Sequence, residues 1–242
     1  EEEADLLAAY VEAGGKLLAV AGPTEDGLPE NLYSLLSIYG VSAQEGIVIE
    51  GNRGYYAFQS PYVLLPDMAD ADITASLIEE NYMPILPLAA GLTSTGGTTQ
   101  ATVTELLTTS DESFSKVAGY DLTTYEKEDG DIDGPFALAV AITETLEDGG
   151  ETGVIWVSSA YLLDDATNAG VSGGNEDFFL NCLNWLCGGS ESSISIHAKS
   201  LSTEYLTISS GTSSILTALA VVIIPAAFLA AGIAVWYRRK KR

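Results

Sequence analysis

From Ile215 to Tyr237 the chain reads ILTALAVVIIPAAFLAAGIAVWY, with no charged side chain, and Arg238-Arg239-Lys240-Lys241-Arg242 follows at once. As a helix this run would extend about 34 Å at about 1.5 Å per residue, against about 30 Å of bilayer hydrocarbon. A core helix of a globular domain would keep a polar face and would not end in a block of cations. The run therefore predicts a transmembrane helix over 215–237 and a basic cytoplasmic tail over 238–242. Trp236 and Tyr237 stand where an interfacial aromatic anchor belongs, and Pro225 lies mid-span, where a helix in lipid tolerates a kink.

The tail takes half of the cations. The other five are Lys16, Arg53, Lys116, Lys127 and Lys199, against 34 acidic residues, none beyond Glu204. The part ahead of the span is thus strongly acidic. With the basic end inside, it is expected on the extracytoplasmic side of a cell membrane, as a single-pass protein whose partners include the lipid bilayer and exclude nucleic acid. The first residue, Glu1, falls inside a helical pattern with no signal peptide ahead of it, so a further N-terminal part is expected.

Leu6, Leu7, Tyr10 and Val11 form one stripe of a helix over Glu1–Ala13, which Gly14-Gly15 stops. Lys16–Ala21 (KLLAVA) reads as a strand covered on both faces, Asn31–Tyr39 as a helix and Ile47–Glu50 as a strand. Tyr62–Leu65 and Ile85–Leu88 read as strands around a helix near Asp72–Glu80, and Leu92–Gln100 as a loop. Val103–Thr109, Phe136–Glu144 and Val154–Ser159 read as further strands. Asn175 is expected to N-cap an apolar helix ended by Gly188-Gly189, and Ile194–His197 with Leu206–Ser209 to form closing strands or a stalk. The order predicts an α/β fold, doubly wound with a mostly parallel sheet, over residues 1–189, followed by a connecting region at 190–214.

YVEAGGKLLAV, TELLTTSDESF, GPFALAVAI, VIWVSSAYL and GGNEDFFLNCLNWLCG, in that order, resemble the GldG-type (gliding-motility-associated) auxiliary proteins of ABC transporters. Lys199-Ser200-Leu201, Leu206-Thr207-Ile208, the apolar run and the basic end follow the same family's C-terminal layout. The resemblance implies an extracytoplasmic domain similar to class I glutamine amidotransferase-like folds, beside an ABC-2-type permease and its cytoplasmic ATPase. The sequence departs from the family at Ser158–Tyr161, where many members carry an acidic, glycine-containing turn.

The residues themselves offer little catalytic chemistry. A Cys–His site needs a cysteine on a sharp turn after a strand, but Cys182 and Cys187 fall on a helix and His197 is the one histidine. On a helix, an i, i+5 pair has Cα atoms about 8–9 Å apart, beyond the reach of a disulfide, so Cys182 reads as a core residue and Cys187 as a helix end. Asp129, Asp131, Asp133 and Gly134 match the first half of an EF-hand loop, but its twelfth position is Val140. The segment reads instead as an acidic hairpin turn between Tyr120–Tyr125 and Phe136–Ala141, with incidental Ca²⁺ binding as the alternative. Without a phosphate loop the chain needs a partner for any energy coupling. Tyr55, Tyr56, Phe58 and Tyr62 read as core under a loop, or alternatively as an exposed platform.

No catalytic, cofactor or metal residue is assigned, and no ligand-binding residue is named. The expected function is that of a non-catalytic auxiliary subunit whose span meets permease helices through Ala218, Ala226, Ala227, Ala230, Ala231 and Gly232. The alternatives are a surface module binding polysaccharide, peptide or cation, and, last, a degenerate amidotransferase-like hydrolase.

Overall fold

The computed structural model describes residues 2–95, 101–146, 149–188 and 210–240. Helix α1 (Glu2–Glu12) leads into β1 (Leu17–Val20), α2 (Glu30–Ser37), β2 (Val41–Ala43) and β3 (Ile47–Ile49). The middle of the chain forms β4 (Val63–Leu64), β5 (Asp67–Met68), α3 (Ala75–Glu80), β6 (Leu86–Pro87) and β7 (Leu92–Ser94). Then come β8 (Ala101–Thr108), β9 (Phe114–Lys116), β10 (Ile132–Asp133), β11 (Ala137–Thr145) and β12 (Glu151–Val157). Helices α4 (Asp165–Gly170), α5 (Gly174–Leu186), α6 (Ser210–Ala218) and α7 (Ile224–Lys240) complete it.

The predicted α/β layering is present. The central sheet runs β1-β12-β11-β7-β2, with β8 also on β11 and β5 on β8. Its pairing is mixed rather than mostly parallel. Strand β1 pairs with β12 in parallel, Leu17 opposite Val154 through Val20 opposite Val157, while β11 is antiparallel to β12, β8 and β7. The cause is connection length. A parallel neighbour needs a crossover of a dozen or more residues, and β11 reaches β12 through residues 146–150 alone. Strand β1, far away in sequence, is free of that constraint and lies parallel to β12.

Both faces of this sheet are covered, so its central strands carry apolar residues at successive positions. Ile155 and Val157 join Phe178, Cys182 and Leu186 of α5 on one face. Val154 and Trp156 join Val11 of α1 and Tyr33, Leu36 and Tyr39 on the other.

Several local expectations change. Leu92–Ser94, expected in a loop, is strand β7, laid against Val41–Ala43. Tyr120 sits in a single 3₁₀ turn, Gly119–Asp121, not in a strand. The position before α5 is Gly173, at φ 93°, and Asn175 lies inside the helix with its side chain turned inward. Of the connecting region 190–214, residues 190–209, with Ile194–His197 and Leu206–Ser209, lie outside the described residues, and 210–214 begin α6.

The apolar run is helical but not one α-helix. Helix α6, a π-helical turn at Leu219–Ile223 and α7 follow without interruption, and Ile224 N–H donates to Leu219 O, five residues back. Pro225 is the cause: it has no N–H to offer Val221 O, and its ring crowds that carbonyl, so the preceding turn widens. Taken singly, no helix among the described residues is long and apolar enough to cross a membrane.

Candidate functional site

The parallel pair sets the geometry of the main cleft. In open α/β sheets the crevice beyond the carboxyl ends of the strands is the usual ligand position. Here β1 and β12 end side by side, and the chain leaving β1 passes very close to the chain leaving β12. A Cβ built on Gly22 would stand 2.9 Å from Ala160 N and 3.3 Å from Ser159 Cα, so only glycine fits. The loop after Gly22 closes in a tight turn in which Thr24 N–H donates to Gly27 O (2.9 Å) and Gly27 N–H to Thr24 O (3.0 Å).

That turn, the start of α2, the end of β2 and the segment after β9 enclose a cleft of about 610 Å³. Leu28, Tyr33, Val41 and Val117 contribute neutral side chains to its lining. Its rim carries Glu25, Asp26, Glu30, Glu45 and Asp121, and among the described residues no Lys, Arg, His or Cys lines it. Tyr33 Oη donates to Ala21 O (2.8 Å), its ring lies 4.8 Å from that of Trp156, and burial pushes its phenol well above the ordinary value. Tyr120 Oη reaches across to Pro23 O (3.3 Å) and is likewise raised, first by burial and then by Tyr161 and Glu25. Both phenols thus stay neutral and act as hydrogen-bonding walls.

At the divergent turn after β12 the hydroxyls are committed. Ser158 Oγ donates to Leu138 O (2.9 Å) and Ser159 Oγ to Pro87 O, and neither serine is exposed. Cys182 is fully buried, with its thiol pushed by burial to about 12, and Cys187 is exposed at the end of α5; both are free. A thiol held protonated in an apolar layer is a poor nucleophile. His197 lies outside the described residues.

The Asp129–Gly134 segment is organised around a cation of the chain itself. The Lys116 side chain is fully buried and its Nζ contacts Glu126 O (2.7 Å), Glu128 Oε2 (2.6 Å) and Asp131 Oδ2 (3.1 Å). Asp131 also accepts from Val117 N (3.2 Å) and Glu128 N (2.9 Å), while Asp133 pairs with Lys127. The segment leads into β10 on β9 instead of forming a hairpin with β11. Among the described residues no group of three or more His, Cys, Asp or Glu side chains is placed to hold a metal ion.

Burial opposes ionisation of Asp131, but hydrogen bonds from Glu128 N, Lys116 and Val117 N outweigh it and hold the carboxyl below its ordinary value. Stability from this group is therefore complete above the ordinary carboxylate range and is lost as pH falls through the lowered value. In thermal melts Asp131→Asn is expected to be less stable than the parent at neutral pH, with the gap closing in acid. Calorimetry with Ca²⁺ is expected to give no heat that depends on Asp131. A gap that widens in acid would contradict this assignment.

The aromatic group splits. Tyr62 packs against buried Ala57, Val63 and Leu65 and lies 5.7 Å from the Tyr125 ring, as a core residue would. Tyr55 Oη donates to Asp67 Oδ2 (2.7 Å) at the surface, and Phe58 is 60% exposed on a turn where it and Gln59 both have positive φ.

The sequence points to the strand at Lys16–Ala21 but not to the cleft, because Glu45 and Asp121 reach it from elements far apart in the chain. No family model matches this chain, nor does any curated protein. Three solved chains match. One, described as "mmIFT52 N-terminal domain", superimposes with a TM-score of 0.51 at 16% identity, over 76% of this chain and 70% of that chain. The likeness is one of fold: a mixed-sheet α/β domain.

Proposed function

We propose that this chain is a non-catalytic, membrane-anchored auxiliary subunit of an ABC-2-type transport system, with its α/β domain extracytoplasmic and its basic end in the cytoplasm. The observation that carries the anchoring is the uninterrupted helical run from Ser210 to Lys240. Ile215, Leu219, Val222, Ile224, Phe228, Leu229 and Ile233 are all exposed on it. Each is a large apolar side chain, and they lie on every side of the helix, an arrangement that water penalises and lipid does not. Lys240 Nζ lies 5.0 Å from the centre of the Trp236 ring, an aromatic and a cation together at one end of the run, as at a membrane interface. The transporter partner comes from the resemblance to GldG-type proteins, as does the finer reading of the domain as similar to class I glutamine amidotransferase-like folds. The matched solved chain is by its description one domain of a larger protein, in keeping with the fold serving as a module.

Purification of the tagged chain from mildly solubilised membranes is expected to recover a permease and an ATPase. Repeated recovery of neither would overturn the transporter assignment.

A second reading, a surface module for a cationic ligand, is favoured by the rim of carboxylates around the main cleft. Under it, Glu25→Gln, Glu30→Gln and Glu45→Gln together weaken binding of an oligolysine probe about tenfold, each exposed charge contributing about 0.5 kcal/mol. An unchanged affinity would remove this reading and leave the anchoring argument intact.

A further inference from the structure

Strand β1 is built as an interior strand yet stands at an edge. Leu18 and Val20 pack toward one core layer, and Leu17, Ala19 and Ala21 toward the other, so helices cover both of its faces. All four residues of β1 nevertheless keep intermediate exposure, whereas Thr152–Val157 of its neighbour are buried throughout. The exposure comes from the side. In a parallel ladder alternate residues turn their main-chain groups toward the partner strand. Ala21 N–H donates to Val157 O, which puts Leu17 and Ala19 on the ladder side and turns the N–H and C=O groups of Leu18 and Val20 outward. Among the described residues no strand pairs with β1 on that side.

The helices above and below the edge are apolar there too. On α5, Asn181 bonds to Ile73 O and Trp185 lies over Gly153, so that flank faces α3 and the sheet interior. Helix α5 lies against β1, and its Phe179 packs against the same core layer as Leu18 and Val20; Leu183 is 37% exposed and Leu180 51%. On the other face the Tyr10 ring of α1 rests against Gly15 at the start of β1 and is 53% exposed, with Leu6 one turn before it. Other edges are marked by polar residues: Asp67 in β5, Asp133 in β10 and Ser42 in β2. Charges and very short strands are how proteins keep sheet edges from pairing. Leu17–Val20 carries no charge.

We propose that this edge is a self-association surface, on which β1 of a second copy lies antiparallel to the first about a two-fold axis through Ala19. The register follows from symmetry: Leu18 faces the partner's Val20, Lys16 faces the partner's Gly22, and Ala19 faces its own copy. Three features favour a second copy as the occupant. The slot accepts a strand that is apolar on both faces, and β1 is such a strand. The small Ala19 stands where the two chains come closest, in a non-hydrogen-bonded pair with Cα atoms about 4.5 Å apart. The edge cation, Lys16, arrives beside the partner's Thr24–Gly27 turn, which carries Glu25 and Asp26, so the one basic side chain meets acidic ones twice over. Leu183 of the two α5 helices then flanks the joined sheet.

The test is crosslinking of the full chain in detergent micelles, in a Cys187→Ser background. The Ala19 pairing lies within disulfide reach. Ala19→Cys is expected to give a covalent dimer on mild oxidation, and Ser42→Cys, on the β2 edge, is not. Lys16→Glu is expected to weaken the dimer about tenfold through loss of two symmetric ion pairs, and Asp26→Lys in the same chain to restore it. Circular dichroism should be unchanged throughout, because both side chains are at the surface. Ala19→Cys crosslinking no better than Ser42→Cys would overturn the proposal. So would a monomeric mass in light scattering, or capture by Ala19→Cys of a different protein in place of its own copy.

Discussion

Val222→Arg together with Phe228→Arg should detach the chain from membranes. Both side chains are exposed on the C-terminal helical run and lie near its middle. On insertion scales an arginine at a helix centre costs about 2.5–3.5 kcal/mol, so the pair costs about 5–7 kcal/mol, and two apolar contributions disappear with it. That is enough to reverse an insertion equilibrium by several powers of ten. In a vesicle flotation assay the parent should rise with the lipid and the double variant should stay with the soluble fraction, while Val222→Leu floats as the parent does. The π turn does not spoil this expectation. A proline-widened turn in lipid leaves its freed carbonyl to local adjustment or a neighbouring helix, and does not remove the apolar surface. Flotation of the double arginine variant would show that the chain's hold on lipid does not come from burying this run in the bilayer core, and the proposed topology would fall with it.

Much of the fold was legible because burial writes directly into the local pattern. Phe136–Glu144 and Val154–Ser159 announce strands covered on both sides, and both are interior strands of the sheet. The pairing sense is what the mostly parallel expectation missed: β11 is antiparallel to β12, β8 and β7. Between 136–144 and 154–159 the connection is too short for a crossover, so that pair has to be antiparallel, while the longer stretch between 103–109 and 136–144 leaves the sense open. Periodicity says that a strand is buried on both faces; it does not say which way its neighbour runs.

Two-residue strands such as β5 and β10 have no periodicity to show, and they exist only because β8 and β9 offer them partners. The cleft was illegible for a related reason. Its rim joins the loop after β1 to Glu45 and Asp121, and nothing local ties those acids to one another. Lys116 is the instructive case. A lone cation in an acidic sequence reads as surface, yet the loop that follows β9 folds back and buries it against Glu126 O, Glu128 and Asp131.

Asn175 is the position in the domain where one substitution is expected to cost most. Polar residues near a helix start usually cap it from outside, but this one is fully buried and reaches across the fold. Its Oδ1 accepts from Ile85 N (2.9 Å), and its Nδ2 donates to Ile85 O (2.9 Å) and Leu162 O (3.2 Å). The amide thus stands in for a neighbouring strand, satisfying both main-chain groups of Ile85 and locking α5 to the segment that carries β6 and to the turn after β12. Asn175→Leu removes all three bonds and leaves two buried carbonyls and one N–H without partners. At about 1–3 kcal/mol for each such group, and allowing for relaxation, the loss is about 3–5 kcal/mol. That is a large part of the about 5–15 kcal/mol that holds a domain together, and corresponds to a fall in Tm of roughly 10 °C. Asn181→Leu supplies the control. Asn181 also donates twice, to Ile73 O (2.9 Å) and Ser76 Oγ (2.9 Å), but it is partly open to water, which can replace what is lost. Its cost is expected to stay near 1 kcal/mol. Equal losses at the two positions in chemical denaturation would mean that water reaches Ile85, and that α5 is not clamped through Asn175.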